Sequence, residues 1–145
     1  METLDKAIVF TSSRFDSTSE LPEDYNAGNR FYGRDLAAWL CERLAAAGVE
    51  ADFLDEDWGW LVLGRAAPAT RFEIGVYDFT RDSEDGAPDA PEWGLWLRAS
   101  RRETWFWRFQ KTVRIPVPPA VEAVVMDAID AVGASPRPWV GGPAG

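Results

Sequence analysis

Carboxylates and indoles crowd into one short run, Asp55-Glu56-Asp57-Trp58-Gly59-Trp60. Three adjacent carboxylates on a turn repel one another, so at least one calls for a raised pKa or a cationic partner. Oxygen ligands of this kind suit Mg²⁺ or Ca²⁺. The calcium-loop pattern, however, needs acceptors at alternate positions and a glycine at the sixth, and Gly59 falls fifth from Asp55. The plainer reading is a solvated hairpin end with arginine partners. Alternation along a strand puts Trp58 and Trp60 on one face and Gly59 and Leu61 on the other. A second run, residues 26–35, sets Asn29 and Asp35 around Phe31 and Tyr32 at a helix entrance. Free N–H groups there, with Arg30 and Arg34 nearby, suit an anion. Ordinary capping, with the two rings stapling the helix to the core, uses the same residues. Neither the G-x-G-x-x-G nor the G-x-x-x-x-G-K-[S/T] phosphate signature occurs.

Composition removes several other chemistries. The 145-residue chain has no His and one Cys. Ser-His-Asp and Cys-His mechanisms lose their base, and imidazole zinc sites are excluded. Cys41 cannot form an internal disulfide and reads as a small core residue on a helix. With 24 acidic against 15 basic residues, the net charge is −9. That repels phosphate backbones and anionic lipid, so neither nucleic acid nor membrane is the expected partner. One strip runs against the trend: Arg98, Arg101, Arg102, Arg108 and Arg114, interleaved with Trp96 and Phe106. A hairpin turning near Arg102 would align Arg98 with Arg108 and resemble a stacking sheet for nucleic acid. Pairing with acidic loops is the simpler account. No cationic leader followed by an apolar stretch opens the chain, and no apolar run spans a bilayer, so the expected address is the cytosol.

The elements that must position these residues follow from periodicity. Residues 6–11 read as a strand, and the polar stretch 12–30 is a long connection. A helix is expected from about Gly33 to Ala47, with Leu36, Trp39, Leu40, Leu44 and Ala47 as its apolar face and Gly48 as its stop. Strands are expected at 49–54 and after the acidic turn to Leu63, with Ala67-Pro68 as a break. Residues 71–79 alternate with period two, placing Phe72, Ile74 and Val76 in the core and Arg71, Glu73, Gly75 and Tyr77 opposite. An acidic loop at 81–92 is too broken to pack. Residues 93–98 form a strand, 101–103 a turn, and 105–110 another strand reaching toward Ile115. Trp93, Trp105 and Trp107 are in phase with the core, and Trp96 and Phe106 are out of phase. Pro118-Pro119 opens a second helix with Val121, Val124, Val125, Ala128 and Val132 buried, ended by Gly133. The order β-α-β-β-β-β-β-α implies one α+β domain over residues 1–133. Its mostly antiparallel sheet has about five strands, with both helices on one face. The tail, 134–145, is rich in Pro and Gly and should fray, apart from an anchor at Trp139-Val140.

Three pieces together, Asn29-Arg30-Phe31-Tyr32-Gly33-Arg34-Asp35, the helix start Leu36-Ala37-Ala38-Trp39-Leu40, and Glu56-Asp57-Trp58-Gly59-Trp60, resemble a group of small bacterial proteins of unknown function. In that group an Asn-Phe-Tyr-Gly-Asp helix entrance is followed by an acidic-Asp-Trp-Gly-Trp strand. The resemblance spans roughly residues 26–63 and implies only that the two segments belong together on one surface.

Two function classes emerge. The first is a non-catalytic cytosolic domain that binds a protein partner or a second copy, needs no cofactor, and is inhibitor- or immunity-like in its acidity. Its expected surface comprises Asn29, Tyr32, Asp35, Asp55, Glu56, Asp57, Trp58, Trp60 and Trp96. The second is a small carboxylate hydrolase acting on a glycoside or, with Mg²⁺, a phosphoester, in which Trp58 and Trp60 stack on substrate. Both lean on one expectation: a sheet roofed by helices on one side leaves large rings on the other.

Overall fold

A computed structural model describes residues 5–67, 69–80, 91–105, 109–132 and 136–140. The elements are β1 (Lys6–Thr11), α1 (Arg34–Ala46), β2 (Glu50–Glu56), β3 (Gly59–Ala67), β4 (Thr70–Asp78), β5 (Glu92–Trp105), β6 (Phe109–Ile115), α2 (Pro119–Ala131) and β7 (Arg137–Pro138). The seven strands make one sheet in the order β2-β3-β4-β5-β1-β7, with β6 also on β5. Every pairing is antiparallel. The α+β class, the single sheet and the two helices agree with the sequence reading. The sheet is larger than expected because the tail contributes a short strand and β5 is long.

Both helices lie on one face. Leu36, Ala37, Leu40 and Leu44 of α1 join Val121, Val125, Ala128 and Ile129 of α2 in one core with Phe72, Ile74, Val76, Trp93, Leu95 and Leu97. The helical stripes therefore follow the expected period, with two shifts: Ile129 is buried while Val124 and Val132 are only partly so, and Ala47 is exposed. Trp39 is half-buried under Phe15 and between the Arg14 and Arg43 guanidinium groups.

The turn expected at 101–103 is a correction. Those residues continue β5: Arg101 is opposite Thr70 on one side and Val113 on the other, and Glu103 is opposite Lys111. The stretch is charged but holds no Gly, Pro or Asn to reverse the chain, and its charges pair locally. Arg101 donates to Glu103 Oε1 at 2.7 Å and Arg102 to Gln110 Oε1 at 3.0 Å. Arg98 consequently faces Glu73 of β4 and has no alignment with a hairpin partner, while Ser100 faces Arg114. The side chain of Trp105, the residues Phe106, Trp107 and Arg108, the acidic loop at 81–90, Pro68 and Gly133 lie outside the described residues.

The tail is tied down at one point. Arg137 and Pro138 pair with Val9 and Ile8, and Trp139 N–H donates to Ala7 O at 3.0 Å. Trp139 packs inward, whereas Val140 is exposed.

Candidate functional site

The helix entrance and the acidic turn do meet, and Asn26 joins them. It is fully buried, in the left-handed region at φ 55°, which Asn tolerates better than most residues. Its Nδ2 donates to Glu56 O at 2.9 Å and Gly59 O at 2.6 Å, and its Oδ1 accepts Phe31 N–H at 2.8 Å. Its own backbone N–H donates to Asp55 Oδ2 at 2.9 Å. Asn29 Nδ2 adds a bond to Asp57 O at 2.8 Å, and the Trp60 indole N–H donates to Phe31 O at 3.0 Å. The two segments are stitched to each other by direct hydrogen bonds.

The acidic side chains of the helix entrance are spent in the same way. Asp35 Oδ2 accepts Asp16 N–H at 2.8 Å and its Oδ1 accepts Leu36 N–H at 2.9 Å. Tyr32 N–H donates to Asp78 Oδ2 at 3.0 Å, and Tyr32 Oη donates to Ser19 O at 2.6 Å. Asp78 is buried and also takes both the N–H and the hydroxyl of Thr80. Asp16 is held below the usual carboxylate range chiefly by the Ser19 hydroxyl, which outweighs the opposing effect of burial, with the Thr18 and Ser19 N–H groups adding to it. A hollow of about 260 Å³ beside this entrance is lined by Tyr32, Asp35, Asp16 and Ser19 among others. Among the described residues, no three acidic or thiol groups converge to hold a metal ion.

The two tryptophans of the run part company, which corrects the expectation that they share a face. Trp60 is the second residue of β3 and points into the core against Tyr25 and Phe53. Trp58 sits in the turn before the strand, where strand alternation does not apply. It folds onto the helix-free face and stacks on Tyr77, with centroids 4.7 Å apart and planes 21° from parallel.

That face can be read row by row from the register. One row is Tyr77, Gly94 and Val9, and the next is Leu61, Gly75, Trp96 and Ala7. Large rings lie over the glycines. A Cβ at Gly75 would meet Trp96, Tyr77 and Trp58, and one at Gly94 would meet Phe79 and Trp139. Trp139 meets Tyr77 and Phe79 edge-on, at 4.9 and 5.1 Å. Trp96 is 8% exposed and capped by the Arg98 guanidinium 3.5 Å from the ring centroid. Trp58, Tyr77, Phe79 and Trp139 are half-buried, and Leu54 and Leu63 beside them are 40% and 36% exposed. Burial raises the Tyr77 phenol above its usual value, with nearby Arg98 opposing. The helix-free face is thus roofed partly by its own aromatic side chains and by one ring from the tail.

Of the nine residues singled out by sequence, Asn29, Asp55, Glu56 and Asp57 gather at the stitched loop junction, and Tyr32 and Asp35 line the hollow at the helix entrance. Trp58 and Trp96 lie on the helix-free face, and Trp60 belongs to the core. Sequence reasoning left out Asn26, whose αL position and burial give no periodic signal. It placed Tyr77 on the face opposite the core, where the structure has it, but left out Phe79 as a surface ring. No family model, curated protein or solved structure matches the chain. No helix among the described residues is long and apolar enough to cross a membrane.

Proposed function

We propose that the chain is a non-catalytic, cytosolic protein-binding domain whose contact surface is the helix-free face of the sheet. One observation carries the reading: half-buried rings of Trp58, Tyr77 and Trp139 lie beside exposed Leu54 and Leu63 on a broad surface with charges at its edge. Apolar and aromatic centres with polar rims are the composition of protein interfaces. The acidic run at 55–57 stands at the rim next to Trp58, where it would steer a basic partner in the manner of an inhibitor or immunity protein. The carboxylates that a hydrolase would need are engaged by backbone N–H groups at Asp55 and Asp35, which weighs against the enzymatic alternative.

The test places a photo-crosslinking residue at Leu63 and, as a control, at Glu42 on the exposed side of α1. A discrete product, with another protein or with a second copy, should form from position 63 and not from 42. Leu54→Asp with Leu63→Asp should abolish binding of the purified partner while leaving the circular dichroism unchanged. Equal products from both positions, or binding indifferent to the two substitutions, would overturn the proposal.

A further inference from the structure

Beyond the aromatic rows, the same face changes character. The next row is Asp52, Leu63, Glu73 and Arg98, and the one after it is Glu50, Arg65, Arg71, Ser100 and Arg114. These residues and Arg102 line an open trough of about 1100 Å³. It holds five arginines of this face, Arg65, Arg71, Arg98, Arg102 and Arg114, against Glu50, Asp52 and Glu73, on a chain whose net charge is −9.

Two features of the trough are unfavourable as they stand. Arg65 and Arg71 are directly opposite each other on neighbouring strands, and like charges in that position destabilise a sheet. Among the described residues neither side chain makes an ion pair or hydrogen bond, although Glu50 on β2 is opposite Arg65. Arg98 is pinned over Trp96, with its Nε buried and without a hydrogen-bond partner. A third feature shows what chemistry the trough accepts. The Asp5 carboxylate lies between two of its arginines, bonded to Arg114 Nη2 and 3.9 Å from Arg98 Nε. One carboxylate of the chain itself is already seated there.

We infer that this trough is a binding site for an acidic polypeptide segment, whose carboxylates pair with Arg65 and Arg71 alongside the seat that Asp5 fills. The inference rests on the reading of this face as a binding surface and adds the chemistry of what lies on its far half. Guanidinium forks match carboxylates in bidentate geometry. The row from Arg65 to Arg114 crosses three strand spacings, roughly 14 Å. That is the reach of about three alternate side chains on an extended peptide. The chain-wide negative charge does not forbid this, because screening at about 0.15 M salt confines interactions to about 8 Å and leaves the local arginines dominant. The group seated between Arg98 and Arg114 is a polypeptide carboxylate, which favours an acidic segment over a nucleic-acid backbone.

The experiment titrates the isotope-labelled protein with hexaglutamate, hexalysine and an eight-residue oligothymidylate, following backbone amide shifts. Hexaglutamate should give saturable shifts in β3 to β6 around residues 65, 71, 98 and 114, weakened as salt is raised. Arg65→Gln with Arg71→Gln should weaken it about tenfold, the effect of losing two charge-assisted contacts. The same double variant, without peptide, should melt no lower than the parent, since a like-charge pair has been relieved. Asp5→Asn should tighten the peptide by freeing Arg98 and Arg114. Absence of saturable shifts, equal response to hexalysine, indifference to the arginine substitutions, or tighter binding of the oligothymidylate would each overturn the inference. A crosslinking residue at Leu54, which lies in the row of Leu61, Gly75 and Trp96 and does not line the trough, reads the aromatic half separately, so a failure here with a discrete crosslink there refutes the acidic segment and leaves the interface standing.

Discussion

Asn26→Ala is the sharpest test of the stitched junction. The side chain makes three hydrogen bonds, and removing it strands Gly59 O, Glu56 O and Phe31 N–H. Gly59 is buried, so its carbonyl carries a desolvation penalty of about 2 kcal/mol. Glu56 and Phe31 are half-buried, so water recovers part of the loss and about 1 kcal/mol each remains. Alanine at φ 55° adds about 1 kcal/mol of backbone strain that Asn largely avoids. The sum is about 5 kcal/mol, a large share of the 5–15 kcal/mol typical of a domain. At about 3 °C per kcal/mol for a chain of this size, the melting temperature falls by about 15 °C. Asn26→Gly keeps the backbone free of strain and loses only the bonds, so it should be about 1 kcal/mol milder. Urea unfolding followed by tryptophan fluorescence measures both, and hydrogen exchange at the Phe31 amide should quicken by orders of magnitude in each. A loss below about 1 kcal/mol for Asn26→Ala would refute the account of the junction as a structural clasp, and would reopen these residues as a ligand site.

Three further outcomes follow from the geometry. Gly94→Ala places a methyl 2.5 Å from Phe79 Cε2 and 3.1 Å from Trp139; displacing both rings should cost about 1–3 kcal/mol in chemical denaturation and raise dye binding to exposed apolar surface. Trp139→Ala removes two edge-on ring contacts and should cost about 2 kcal/mol, with loss of near-ultraviolet circular dichroism and little change in the far ultraviolet. Cys41 has its thiol pKa pushed up to about 11 by burial, with Asp52 and Glu42 adding repulsion. Its alkylation should therefore be slow at neutral pH and climb only toward pH 11. Because the folded state holds this proton more tightly than the ordinary thiol does, the contribution to stability is intact below about pH 9 and lost between 9 and 11.

What could be read in the sequence was whatever repeats. Phe72, Ile74 and Val76 alternate with Arg71, Glu73, Gly75 and Tyr77 because a half-covered sheet imposes period two, and both helices advertised their buried stripes in the same manner. Residues that act once are silent to that method. Asn26 earns its place by one αL backbone and three bonds to a segment about thirty positions away. Two positions before Trp60, Trp58 has the spacing of a same-face strand neighbour, but it belongs to the two-residue turn Asp57–Trp58, and its ring goes to the opposite face. The supposed turn at 101–103 misled because charge was taken as a sign of a loop, whereas Arg101, Arg102 and Glu103 find cross-strand and same-strand partners inside a continuing strand.

The glycines of the helix-free face say why its rings are held half-way. A single sheet that buries one side against helices must leave the other to water or to a partner. Here Gly75 and Gly94 remove the Cβ atoms that would keep flat rings off the backbone, so Trp96, Tyr77, Phe79 and Trp139 settle low on the sheet. Low-lying rings cover the central strands enough for the monomer to fold, yet they cannot reach over Leu54 and Leu63 on the outer strands, which stay exposed. A face meant only for solvent would place charges there, as the next rows do with Arg65, Arg71 and Glu73. The change from aromatic rows to charged rows across one continuous surface supplies the apolar centre and charged flank that the proposed interface calls for, and it lets a chain of net negative charge present a local basic trough.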